Sequence, residues 1–190
     1  MGLIKKGEGY MTVKYDIIYG NKKIVFLKVG AAGSTRIKSQ YTRMAQRIHN
    51  RLGATVICAA NPEEAHIEKD EEAIRRVVAE MDLSDFEVYF IGASDGAYQN
   101  LSLAKRFPET VKLVGINTSL IDVSGFVQKL SVLPDVYKLL IYGTKDADSF
   151  EVIPVLSEMT DDMLSLKFIE GADHSFTGMV DEFIALSDEL

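Results

Sequence analysis

The stretch Phe90-Ile91-Gly92-Ala93-Ser94-Asp95-Gly96-Ala97-Tyr98 places one serine between two glycines at the end of a strand-forming run, Glu87-Val88-Tyr89-Phe90-Ile91. Residues 95–107 have helical character, and Pro108 ends the run. A strand that turns at once into a helix forces strained backbone angles on the turning residue. Gly92 and Gly96 remove the side chains that would collide in such a turn. The serine hydroxyl then projects at a helix N-terminus, where free N–H groups and the helix dipole favour negative charge.

Working outward, the same alternation recurs. Upstream, residues 37–52 carry Ile37, Tyr41, Met44, Ala45, Ile48 and Leu52 at helical spacing and stop at Gly53. A short apolar strand is predicted over 54–59 and a helix over 67–81, with Ile74, Val77, Val78 and Met81 on one face. Two β-rich runs come first, 10–18 and 23–29, and the Gly20-Asn21 pair between them is a strong hairpin signal. Downstream, strands are predicted at 111–116, 139–142 and 164–169. Helices are predicted at 123–133, at 149–159 despite Pro154, and at 175–190. Continuous apolar strands alternating with helices mean a parallel sheet covered on both faces. The expected fold is a three-layer α/β/α sandwich, mostly parallel, with an antiparallel N-terminal hairpin. No repeat or linker divides the chain, so residues 1–190 are expected to form one domain.

Composition narrows the function. The 190 residues are 47% hydrophobic and 26% charged, with a net charge of −7 and no basic cluster longer than a pair. Such a surface repels phosphate backbones and anionic lipid, so neither nucleic acid nor membrane is an expected partner. The lone Cys58 sits in an apolar strand and cannot form an internal disulfide, which fits a reducing compartment. The N-terminal residues lack the apolar region of a signal peptide and no stretch reaches membrane-spanning length, so a cytoplasmic location is expected. The length leaves the oligomeric state open.

Open parallel sheets bind ligands beyond the carboxyl ends of their strands. After Val29 comes Gly-Ala-Ala-Gly-Ser-Thr-Arg, and after Ala59 comes Ala-Asn-Pro-Glu-Glu-Ala-His. Ile91 is followed by Gly-Ala-Ser-Asp-Gly, and Ile116 by Asn-Thr-Ser. Tyr142 leads into Gly-Thr-Lys-Asp-Ala-Asp-Ser, and Ile169 into Glu-Gly-Ala-Asp-His-Ser-Phe. A serine (Ser94), a carboxylate (Asp146 or Asp148) and a histidine (His174) thus share one edge of the sheet. The amide of Asp95 is one candidate oxyanion donor, and the Gly30–Gly33 turn supplies a second, with Ala31 N–H the first choice. The same glycine-rich turn matches neither nucleotide-binding pattern, and His66 beside Glu63 and Glu64 lacks a second neutral ligand at metal spacing. No cofactor and no metal are expected. His49 is expected to face solvent.

These motifs resemble those of the α/β-hydrolases. The resemblance rests on Gly92-Ala93-Ser94-Asp95-Gly96, the acid loop Tyr142–Asp148 and the histidine loop Gly171–Phe176, and in element order it covers nearly the whole chain. It implies Ser94 as nucleophile, His174 as general base and then acid, and Asp146, three residues after the glycine ending its strand, as the orienting carboxylate. It also implies a minimal cap over 117–138, with Ile121, Phe126 and Leu130 as cleft walls. The expected activity is hydrolysis of a small ester-like acyl substrate. Two features depart from the family pattern: Val29-Gly30 stands where His-Gly is common, and Asp95 sets a carboxylate beside the oxyanion site. They favour the alternative, a non-catalytic binding or regulatory protein on the same scaffold. Acyl transfer, or thioester or amide cleavage, would use the same three side chains.

Overall fold

The computed structural model describes residues 13–30, 34–62, 67–118 and 123–190. Among the described residues, seven strands form one sheet: β1 (Tyr15–Ile18), β2 (Asn21–Lys28), β3 (Ala54–Ala59), β4 (Glu87–Ala93), β5 (Thr110–Ile116), β6 (Tyr137–Gly143) and β7 (Leu164–Ile169). Six helices accompany them: α1 (Ser39–Leu52), α2 (Ile67–Glu80), α3 (Ser94–Ala104), α4 (Val123–Ser131), α5 (Ala147–Met159) and α6 (Val180–Ala185), the last continued by a 3₁₀ turn at Leu186–Glu189. The spatial order is β1-β3-β2-β4-β5-β6-β7, parallel throughout except for β1.

Alternation along β2 builds both cores. Ile24 and Phe26 turn to a face covered by α2, α3 and α4 through Ile74, Val77, Leu101, Phe126 and Leu130. Val25, Leu27 and Val29 turn to the other, covered by α1 and α6 through Met44, Ile48, Phe183 and Ile184. Every residue of β3 is buried, which explains its unbroken apolar sequence. Cys58 lies in that strand, and burial pushes its thiol up to about 12.

The structure corrects four expectations. The antiparallel first strand is present, but its partner is β3, not β2, because β3 inserts between them. The Gly20-Asn21 turn serves that insertion: Asn21 N–H donates to Gly53 O at 2.7 Å and Gly20 N–H to Thr55 Oγ1 at 2.8 Å. A Cβ on Gly20 would stand 2.2 Å from Gly53 O, so the turn closes against the start of β3. The last helix begins at Val180 rather than near Ser175, since residues 171–178 make a turn containing three positive-φ residues, Gly171, Phe176 and Gly178. Phe126 and Leu130 belong to the core, not to a cleft wall, and Ile121 lies outside the described residues. His49 is half-buried and its Nδ1 lies 2.9 Å from Ala54 O, so it closes the α1–β3 turn instead of facing solvent freely.

Candidate functional site

Ser94 is the residue at which β4 becomes α3, and its φ is +49°. That left-handed angle costs a non-glycine residue about 1–3 kcal/mol and persists only where the surroundings enforce it. The flanking glycines show what enforces it. A Cβ on Gly96 would meet Val29 O at 2.5 Å, and one on Gly92 would meet Ala97 N at 2.8 Å. The helix therefore starts pressed against the end of β2, and the serine takes up the sharp bend.

The histidine reaches the serine from the loop between β7 and α6. There the Asp173 carboxylate accepts from the N–H groups of Ser175 at 3.0 Å and Thr177 at 2.9 Å, which hold its carboxyl below the usual range. Phe176, held at φ +53° and 2% exposed, anchors the loop by packing edge-on against Phe183 at 5.4 Å. His174 is thereby presented with its side chain 41% exposed. Its Nε2 lies 2.9 Å from Ser94 Oγ and its Nδ1 lies 3.0 Å from Asp146 Oδ2. Asp146 stands just after β6 with its side chain 2% exposed. An ionised carboxylate only accepts, so Nδ1 carries the ring proton and Nε2 is left to accept from the serine hydroxyl. The Asp148 side chain lies outside the described residues.

Asn117 is a member of this arrangement that sequence pattern does not mark. It comes just after β5, is 1% exposed and has φ +42°. Its Nδ2 donates to the carbonyls of Asp173 and His174, both at 3.1 Å, while its Oδ1 accepts from Gly143 N–H at 2.8 Å. One amide thus joins the histidine loop to the end of the strand that carries Asp146. The one signal for it in the sequence is its place at a strand end on the same rim, in the Asn-Thr-Ser segment. The two loops also bond directly: Lys145 N–H donates to Ala172 O at 2.9 Å, and Gly171 N–H to Thr144 Oγ1 at 2.8 Å.

On the other side of the serine, the Asp95 N–H lies in the first turn of α3. Ala31 lies outside the described residues, as do Glu63, Glu64 and His66. Val29 and Gly30, which precede Ala31 in the sequence, are held without a histidine: Val29 N–H donates to Ala59 O at 3.0 Å, and Gly30 N–H donates to the Tyr41 hydroxyl at 3.1 Å. Tyr41 comes from α1 and is buried, which pushes its hydroxyl pKa up. Beside the histidine, an open cavity of about 370 Å³ is lined by Lys145, Asp146, Ala147, Asp173, His174 and Ser175. Among the described residues, no group of three His, Cys, Asp or Glu side chains is arranged to hold a metal, and no helix is long and apolar enough to cross a membrane.

An alcohol, an imidazole and a buried carboxylate in series, opening to solvent at a strained strand–helix turn, can move a proton from the alcohol as it attacks an electrophile. Comparison with solved structures places this architecture. An alpha-beta serine hydrolase homologue from Coxiella burnetii superimposes with a TM-score of 0.71 at 16% identity, covering 93% of this chain and 90% of that one. Est1E from Butyrivibrio proteoclasticus does so with 0.67 at 13% identity, over 93% and 91% of the two chains. The thioesterase domain from the curacin biosynthetic pathway gives 0.66 at 12%, over 92% and 94%. No protein-family model matches the sequence, and no curated protein matches it. The chain has the α/β-hydrolase fold.

Proposed function

We propose that this protein is a serine hydrolase that cleaves a small ester-like acyl substrate through an acyl-enzyme on Ser94. The observation that carries the reading is the contact of 2.9 Å between Ser94 Oγ and His174 Nε2, continued at 3.0 Å to a buried carboxylate. As Ser94 Oγ bonds the carbonyl carbon, its proton passes to His174 Nε2 and the carbonyl oxygen becomes an oxyanion. Asp146 stabilises the imidazolium and fixes its orientation. The Asp95 amide, with Ala31 N–H as second donor, meets the oxyanion. Collapse breaks the bond to the leaving alcohol, which takes the proton from Nε2 and leaves an acyl-serine. A water molecule then adds to the acyl carbon, gives its proton to Nε2, and the serine recovers it as the acid departs.

The solvent exposure of His174 beside Ser94 suits a small or flexible acyl group. A panel of short and long p-nitrophenyl esters, with thioesters and amides alongside, tests the reading. Turnover of short esters that Ser94→Ala abolishes is the expected result. Binding without turnover across the whole panel would instead favour the non-catalytic alternative, and preference for thioesters would redirect the substrate class.

A further inference from the structure

If the Asp95 amide faces an oxyanion, the carboxylate of the same residue becomes a liability, because like charges at close range oppose each other strongly in a partly buried site. The structure contains a device that restrains it. Asp95 Oδ2 accepts from Asn61 Nδ2 at 2.8 Å and from Gln99 Nε2 at 2.6 Å. Gln99 Nε2 also donates to Asn61 Oδ1 at 2.9 Å, closing a ring of three side chains. Gln99 stands one helical turn beyond Asp95, so the ring spans the first turn of α3.

Asn61 reaches in a second direction. It is 0% exposed and lies just past the end of β3. Its backbone N–H donates to Ser34 O at 2.9 Å within an isolated antiparallel bridge. Ser34 follows Ala31-Ala32-Gly33 in the sequence. One buried residue therefore bonds both the first turn of α3 and Ser34. A neutral amide suits the position, since it donates to a carboxylate without adding charge of its own.

We propose that Asn61 is a positioning residue of the oxyanion site: its side chain draws the Asp95 carboxylate away from the developing charge. This rests on the reading of Ser94 as nucleophile. The side-chain role predicts a specific coupling. Removing the amide harms the reaction only while residue 95 carries a carboxylate.

The test is a cycle of Asn61→Ala, Asp95→Asn and the double variant, read as kcat and KM on the best short ester. Asn61→Ala is expected to lower kcat by about 10- to 100-fold with KM little changed, somewhat less than the loss of a whole oxyanion donor. The double variant is expected to match Asp95→Asn alone. Gln99→Ala provides a second arm, with a smaller loss that Asp95→Asn also erases, should Asn61→Ala fail to fold. Wild-type kcat in Asn61→Ala, or an equally deep loss on the Asp95→Asn background, overturns the proposal, the latter because a purely structural residue behaves that way. If the unaltered protein turns over none of the esters, thioesters or amides, the hydrolase reading fails by itself. Crystal structures of the protein and of Asn61→Ala then decide: a carboxylate swung toward Ser94 upholds the positioning role, and one that stays in place overturns it.

Discussion

Two clusters in this molecule are assembled from the same kinds of part, a hydroxyl, a carboxylate and a basic nitrogen, yet they are suited to opposite work. In the closed one, Tyr15 OH donates to Asp70 Oδ1 at 2.9 Å and Lys28 Nζ to Asp70 Oδ2 at 2.6 Å. The Lys28 and Asp70 side chains are 0% and 2% exposed. Burial pushes the Asp70 carboxyl up, against the pull of Lys28, and pushes the Tyr15 hydroxyl up as well. No substrate reaches this group, and its residues sit on ordinary strand and helix backbone. It ties β1, β2 and α2 together, and the Lys28 stem lies under the first turn of α3, where a Cβ on Gly96 would meet Lys28 Cγ at 2.9 Å. The open cluster has an equally buried carboxylate, but its imidazole is 41% exposed and its hydroxyl stands on a strained turn. Access and backbone strain separate a site from a strut; the inventory of polar atoms does not.

Substitutions should separate the two clusters, most strongly at the serine. Ser94→Ala should abolish ester turnover, a loss on the order of 10⁶ in kcat when a nucleophile of this kind is removed. Its stability should stay within about 0.5 kcal/mol by chemical denaturation, as for a partly exposed position. Asp146→Asn should leave the geometry but hold the wrong imidazole tautomer, lowering kcat by about 10⁴. In the closed cluster the outcome reverses: Lys28→Met leaves Asp70 without its cation and should cost about 3–5 kcal/mol of stability while kcat per folded molecule persists. Adding Asp70→Leu should recover most of that loss, because an apolar pair can replace a buried ion pair. An inactive but fully stable Lys28→Met would erase the distinction between the two clusters.

Smaller effects sharpen it. Asn117→Gly keeps the positive φ while deleting the amide that joins the two loops, and about a tenfold loss in kcat is expected from a modest misplacement of His174. Stability should fall by about 1–3 kcal/mol, as for a lost buried hydrogen-bonding group. The least effect belongs to the rim. Hydrogen bonds from Arg47 hold the Asp188 carboxyl below its usual range. A depressed carboxylate adds stability above its unfolded pKa of about 3.9 and loses it as pH falls through the folded value. Melting curves of the protein and of Asp188→Asn should therefore differ near pH 6 and converge below about pH 4. A gap independent of pH would contradict the assignment.

Much of the frame is legible in local pattern. Strand 54–59 and strand 164–169 coincide with β3 and β7: the first is a short β-branched apolar run, and the second alternates Leu164, Leu166 and Phe168 with Ser165 and Lys167. That Ser94, His174 and one of Asp146 and Asp148 share a rim is legible because the ends of parallel strands lie together; the choice of Asp146 comes from the family resemblance. The expected β1–β2 hairpin fails for a reason of range: a turn signal reports that the chain reverses, not which strand pairs with which, and insertion of β3 is decided by burial of its two faces. The start of α6 is set too early by spacing because Phe176, apolar and at a helical interval, is used to anchor a loop. Asn117, Asn61 and Tyr41 are hidden for a third reason. Each acts by hydrogen-bonding backbone or side chains distant in sequence, and spacing along the chain carries no trace of such partners.

Activation of Ser94 as a nucleophile is tested by reaction with a fluorophosphonate, followed by intact mass and peptide mapping. One adduct per chain is expected, on Ser94, slowed severely by Asp146→Asn and absent from Ser94→Ala. An unmodified chain under conditions that label known serine hydrolases, or an adduct on a different residue, would contradict it.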